Sequence, residues 1–438
     1  MVKKIIWCLA GLLAAPLLCV AASSEQNYAA RVAQVLEHTP LIDGHNDLPW
    51  EIRDRFHSKL STIDLSTDTS ALAVPADGIA LMTDIRRLRR GGVGGQFWSV
   101  FVPVEVQRSL AVQATLEQID IVRQMTDRYP RDLELAYTAA DVRRIHAGGR
   151  IASLIGIEGG HQINNSLPVL REMYALGARY MTLTHSSNTE WADSATDAPK
   201  HHGLTPFGRE VVHEMNRLGM VVDLSHVSEE TMHAVLDTAE APVMFSHSSA
   251  RAIVNHPRDV PDDVLRLLDR NGGIVMVNFY PGYLSAARNR WDADYAAERA
   301  RFLSPPFAGL YIGDPDRAKT ALEEWVKAHP APKVSLAEVA DHIEHVRRVA
   351  GLDHVGLGSD FDGIPATPVG LEGVDKYPDL LAELMRRGWT NEEVAKVAGE
   401  NMLRVLANVE RVAARLRTDR KASEATIEAL DGPSKAAN

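Results

Sequence analysis

Six short apolar runs in this sequence finish on a histidine or a carboxylate: Leu41 to Asp47, Ile151 to Glu158, Arg179 to His185, Met220 to His226, Val243 to His247 and Val355 to Asp360. These side chains bind divalent cations and move protons near neutral pH. His45 and Asp47, two apart on an extended segment, point to the same side and could grip one cation. Glu158 closes Ile155-Gly156-Ile157-Glu158-Gly159-Gly160, where two glycines let the backbone turn while the carboxylate faces inward. A buried glutamate requires a partner. One carboxylate can bridge two cations about 3.5 to 4 Å apart, and a structural salt bridge is the alternative. His226 and His247 end consecutive runs, and two neighbouring imidazoles suit zinc. His185 and Asp360 complete the set and could serve catalysis rather than ligation.

Residues that recur at the carboxyl ends of apolar runs need elements whose ends share one face. Two further runs, Phe97 to Pro103 and Gly273 to Phe279, bring the total to eight. Between them lie Leu110 to Arg128, Leu167 to Leu176, Pro206 to Leu218, Ser228 to Ala239 and Val260 to Asn271, with apolar residues at helical spacing. The pattern predicts an α/β fold of βα units. Eight parallel strands close a (β/α)8 TIM-type barrel whose strand ends form a single mouth; an open doubly wound sheet is the other arrangement. A longer insertion, at about residues 280–350 with a Ser304-Pro305-Pro306 turn, is expected to act as a lid or an oligomer contact.

The chain has 438 residues, 45% hydrophobic and 24% charged, which fits one large domain, residues 23–415, followed by a polar tail, 416–438, whose last residues should be disordered. Its net charge of -11 and the lack of a basic block argue against a nucleic-acid partner. Residues 1–22 read as a signal peptide: Lys3 and Lys4, an apolar run interrupted by Pro16, then Val20-Ala21-Ala22. A secreted or periplasmic protein without a stable membrane anchor is expected. Cys8 and Cys19 both fall inside that segment, so a metal site must use histidine and carboxylates. There is neither a cysteine nucleophile beyond it nor a Gly-x-Ser-x-Gly elbow, which disfavours covalent acyl-enzyme chemistry.

The motifs Asp43-Gly44-His45-Asn46-Asp47-Leu48-Pro49-Trp50, Gly91-Gly92-Val93-Gly94-Gly95-Gln96-Phe97-Trp98, Glu158-Gly159-Gly160-His161, Leu183-Thr184-His185, Asp223-Leu224-Ser225-His226, Phe245-Ser246-His247-Ser248, Gly358-Ser359-Asp360-Phe361-Asp362-Gly363 and Gly399-Glu400-Asn401 together resemble the membrane (renal) dipeptidase family, including its bacterial members. The resemblance implies a metal-dependent amidohydrolase-like barrel with two Zn2+ ions per chain. His45 and Asp47 would hold one, His226 and His247 the other, and Glu158 would bridge them. It further assigns His185 to substrate binding or carbonyl polarisation, Asp360 to proton transfer and Arg258 to the substrate carboxylate. The implied reaction is hydrolysis of a dipeptide amide bond by a metal-bridging water. Another amidohydrolase activity, on N-acyl amino acids or cyclic amides, is the alternative, and a secreted binding protein is a third reading that the full ligand set opposes.

Asp362 competes with Asp360, since alternation on a strand would point both to one side. A solvated Arg258 beside a helix start capped by Asp259 is the competing view of that arginine. His161 and His256 could orient ligands. His38, His57, His146, His201, His202, His213, His233, His329, His342, His345 and His354 are expected at the surface. The disulfide and lipid anchor of mammalian members have no counterpart residues here, whereas a homodimer stays open.

Overall fold

Strand-length runs of branched apolar residues flanked by helices fold as the period predicts, giving nine strands in the computed structural model, which describes residues 27–72 and 79–432. They are β1 (Leu41–Asn46), β2 (Val93–Phe101), β3 (Leu133–Leu135), β4 (Ile151–Glu158), β5 (Ala178–Thr182), β6 (Val221–Asp223), β7 (Met244–Phe245), β8 (Ile274–Val277) and β9 (Val355–Leu357). All pair in parallel. β1 lies between β2 and β9, the chain of pairings runs from β9 back to β4, and β2 also pairs with β4. Eight strands therefore form a closed (β/α)8 barrel, while β3 pairs only along the first residues of β4. Both faces of the ring are covered, which is why its strands read as continuous apolar runs.

Amphipathic segments cover the outside as helices Ser109–Arg128, Leu167–Ala175, Pro206–Leu218, Glu229–Thr238 and Asp262–Asn271. Most strands stop short of the polar residue that ends the sequence run. His185, His226, His247 and Asp360 stand two or three residues beyond their strands, in loops at the mouth. That placement frees their backbones from strand geometry: His226 and Asp360 have φ of 67° and 64°.

The expected insertion divides. Helices Ala286–Leu303 and Pro315–Ala328 form an outlying pair, each with one buried residue, Phe302 and Ala318. Helix Leu336–Ala350 instead packs on the barrel and buries one face, including His342 and His345. This corrects the reading of His342, His345 and His354 as surface residues, because all three are buried. His342 Nδ1 accepts from Ala250 N at 3.0 Å, His345 Nε2 lies 2.7 Å from Asp262 Oδ1, and His354 Nδ1 lies 2.7 Å from Gly273 O. Polar neighbours in the sequence hid a helical face that the barrel covers.

Much of the polar tail is ordered as well. A helix runs through Asn401–Asp419, and a short one, Ile427–Asp431, docks by Asp431, which accepts from Thr205 Oγ1 at 2.6 Å and Phe207 N at 3.0 Å. The proposed signal segment, 1–22, and residues 433–438 lie outside the described residues. Among the described residues no helix is long and apolar enough to cross a membrane.

Candidate metal centre

The mouth of the barrel gathers the polar residues that the strand ends carry. Glu158, last in β4, sits at their centre. Its Oε2 lies 3.3 Å from His45 Nε2 and accepts from Ser99 Oγ at 3.1 Å. Its Oε1 lies 3.1 Å from His226 Nε2, 3.4 Å from His247 Nε2 and 3.6 Å from His185 Nε2. Asp47 Oδ2 stands 3.3 Å from His45 Nε2, and Asp360 Oδ1 stands 4.0 Å from the same atom. Thus the five residues grouped in the sequence, and the two set aside for catalysis, meet in one place.

The strand ends are held by buried hydrogen bonds. Asp43, two residues before His45, accepts from Ser359 N and Oγ, both at 2.8 Å, and from Gln96 Nε2 at 2.9 Å, tying β1 to its two neighbours. Asp360 N donates to His45 O at 3.1 Å and Asp47 N to Phe361 O at 2.9 Å, so the loop after β9 continues the pairing with β1. Asn401 Nδ2 donates to Val355 O at 2.8 Å, so the Gly399-Glu400-Asn401 motif braces the start of β9 and not the mouth.

Electrostatics set the protonation of the cluster. Burial alone would neutralise Glu158, but His45 and His226 hold its carboxyl well below the ordinary range. Burial likewise opposes charge on His45, yet Tyr180, Glu158 and Asp47 hold that ring protonated well above the usual value. Burial keeps His226 and His247 well below it and lowers His185, so these rings are neutral, the form that ligates metal. Burial, with Asp47 and Glu158 nearby, pushes the Asp360 carboxyl up to about 8.

The donors fit cations. His45 Nε2, Asp47 Oδ1 and His226 Nδ1 are buried without a hydrogen-bond partner. Ligand atoms of His45, Glu158 and His247, of Glu158, His185 and His226, and of His45, Asp47 and Asp360 each lie within 4.8 Å of one another. Glu158 and Asp47, both buried, hold a positive charge on the His45 ring between them, a place that a divalent ion would take over as it displaces that proton.

A cavity of about 520 Å³ opens onto this cluster, lined in part by Trp50, Phe101, Arg258, Tyr280 and Tyr283. Arg258 is 3% exposed, which excludes the solvated reading. Its Nη2 reaches His247 O at 3.4 Å, its guanidinium lies 5.4 Å from the Tyr283 ring centre, and Nε and Nη1 have no partner. Asp259 does not cap the following helix; it is buried and accepts from Ser249 N at 3.2 Å. His256 Nδ1 accepts from Arg258 N at 3.1 Å, which shapes the arginine loop.

Asp360 and Asp362 do not alternate on a strand, because both have left-handed backbones, with φ of 64° and 65°. Asp360 Oδ2 accepts from Asn278 Nδ2 at 2.9 Å, whereas Asp362 Oδ1 accepts from Met82 N at 2.7 Å. Asn278, Tyr180, Tyr283 and Ser99 escaped the sequence reading, which counted only histidine and carboxylates at run ends. Asn278 stands inside the seventh run, directly after Val277, and was visible as its one polar residue.

The chain is similar to the solved structure of the probable dipeptidase PvdM from Pseudomonas aeruginosa, at 25% identity and a TM-score of 0.72, over 89% of this chain and 100% of that one. It also shares its fold with the dipeptidase AC, a metallo peptidase, at 24% identity and a TM-score of 0.67, over 85% and 99% of the two chains. The same holds for a metallo peptidase from Rhodobacter sphaeroides, solved with a phosphinate mimic of the dipeptide L-Ala-D-Ala, at 23% identity and a TM-score of 0.67, over 85% and 99%. Residues 29–420 match the model of the membrane dipeptidase family, peptidase family M19, and the chain belongs to that family of metallopeptidases, hydrolases of the peptide bond.

Proposed function

We propose that the chain cleaves dipeptides at this mouth with two zinc ions, one held by His45 and Asp47, the other by His226 and His247, and Glu158 between them. The observation that carries the reading is the division of the Glu158 carboxylate, one oxygen toward His45 and the other toward His226 and His247. When bound, such ions supply Lewis-acid polarisation and acidify water near neutral pH.

The protein's own groups do the rest. Arg258, whose guanidinium borders the cavity with Nε and Nη1 unpartnered, is the group that pairs with a free carboxylate at the substrate's end. His185, stacked 4.2 Å from the His226 ring and tilted against Phe101 at 4.7 Å, is in this reading the donor to the scissile carbonyl. Asp360, steadied by Asn278, holds a proton near neutral pH and passes it to the leaving nitrogen. Trp50 and Phe101, packed edge to face at 5.2 Å, form an apolar part of the cavity wall. The dipeptide mimic bound by the Rhodobacter enzyme supports this substrate class.

We also read residues 1–22 as a cleaved signal that delivers the enzyme outside the cytoplasm, which amino-terminal sequencing of the exported protein would test. The central test is metal removal. Hydrolysis of a free dipeptide should fall to background after chelation and return as zinc is restored to two ions per chain; full activity in the metal-free protein would refute the reading.

A further inference from the structure

We propose that Asp223 and Ser246 are positioning residues that fix the tautomer of His247, and so decide whether its Nε2 can hold a cation. The inference rests on the metal centre proposed above. Both residues are fully buried, Asp223 at the end of β6 and Ser246 directly after β7. Neither touches the cavity.

Asp223 is surrounded by donors. Its Oδ1 accepts from Ser225 N at 3.1 Å and Ser246 N at 2.8 Å. Its Oδ2 accepts from Ser246 Oγ at 2.6 Å and Thr182 Oγ1 at 2.5 Å. Ser246 Oγ also lies 2.8 Å from His247 Nδ1. A hydroxyl has one proton to donate. Here the carboxylate takes it, so the serine oxygen accepts the proton that His247 carries on Nδ1. Nε2 is left without a proton, 3.0 Å from His226 Nε2 and 3.4 Å from Glu158 Oε1, in the tautomer that metal binding requires.

The other two ligand histidines lack this constraint. His45 Nδ1 lies 2.8 Å from the Tyr180 hydroxyl, which can give or accept, and His226 Nδ1 has no partner. Of the three rings, only His247 has a tautomer dictated by a carboxylate through a relay. The relay Asp223, Ser246, His247 therefore sets the tautomer of one ligand, while the same carboxylate also ties the ends of β5, β6 and β7 together through Thr182, Ser225 and Ser246.

Asp223→Asn tests the proton count. The two backbone N–H groups hold the amide oxygen in the Oδ1 position, which turns the NH2 group toward Ser246 and Thr182. Ser246 must then accept, and its own proton turns to His247 Nδ1. The alternative acceptor, Ser225 Oγ, is 3.4 Å away and already accepts the His247 N–H at 3.0 Å. His247 shifts to the Nε2–H tautomer and cannot ligate. Ser246→Ala removes the acceptor but supplies no competing donor, so the effect should be smaller.

Zinc titration of the metal-free full-length protein against a chromophoric chelator should show one of two sites weakened by about 10- to 100-fold or more in Asp223→Asn, the range for losing an outer partner of a metal-bound histidine. Ser246→Ala should fall between it and the unaltered protein. Unchanged affinity in Asp223→Asn, or a greater loss in Ser246→Ala, would overturn the proposal. Nitrogen-15 spectra of the unaltered zinc-loaded enzyme give a reading that needs no variant: His247 protonated on Nδ1 supports the relay, and coordination through Nδ1 overturns it. If the unaltered protein binds no zinc, the metal-centre reading itself fails, a result separable from failure of the relay.

Discussion

Glu158 Oε2 stands 3.3 Å from His45 Nε2, both residues buried, while the second oxygen of the same carboxylate faces the His226 and His247 rings. Glu158→Gln keeps the shape and removes the charge, and its NH2 end can donate but not ligate. Metal content after dialysis should fall from two ions to one or none per chain. Activity should fall by at least the about 100-fold that loss of an outer partner can already cost a metal site. A variant that keeps both ions and full turnover would exclude Glu158 as the bridge.

Arg258 should act on substrate binding and depend on the substrate's charge. Hydrogen bonds to charged groups contribute about 1.5–3 kcal/mol, so Arg258→Met should lower kcat/KM for a free dipeptide by about 10- to 100-fold. A dipeptide amidated at its carboxyl end should be hydrolysed equally by both forms. Equal losses on the two substrates would remove Arg258 from carboxylate recognition.

Gly156 shows how a backbone position controls a ligand. It lies in the middle of β4, where a Cβ would overlap the Tyr180 ring, and the Tyr180 hydroxyl is the 2.8 Å partner of His45 Nδ1. Gly156→Ala should destabilise the fold by about 1–3 kcal/mol through overpacking and also weaken metal binding. Thermal melting and zinc titration measured together separate the two effects. A drop in Tm with unaltered zinc affinity would show that Tyr180 serves packing alone.

The barrel and most of the cluster were legible because each relevant carboxylate or imidazole interrupts an apolar run at its end, where only a partner or function offsets the burial. Asp47, Glu158, His226 and His247 stand out for that reason. Less visible were groups whose roles depend on direction. Tyr180 looks like an ordinary strand aromatic until its hydroxyl is placed on His45, and His342 and His345 look polar until their helix is docked. The Asp360 and Asp362 pair misled because alternation assumes a strand, and both residues turn left-handed.

Asp362 makes the pH dependence of the metal-free protein a test of this local structure. Burial pushes its carboxyl up to about 7; the Met82 N–H and Thr83 hydroxyl lower it, Glu51 raises it and Arg87 lowers it. Its Oδ2 is buried without a partner, so the protonated form suits the site. The folded chain therefore holds this proton more tightly than the unfolded chain, whose carboxyl titrates near the ordinary value of about 3.9. The resulting stabilisation is full below that value and is lost as pH rises through about 7. Asp360, pushed up to about 8, adds a loss of the same sign that overlaps this one and continues to slightly higher pH. Metal-free protein should accordingly melt at progressively lower temperature between pH 5 and 8. Asp362→Asn, which stays neutral throughout, should flatten the lower part of that slope while leaving the upper part. Parallel melting curves for the two proteins across the whole range would show that Asp362 is ionised in the folded chain.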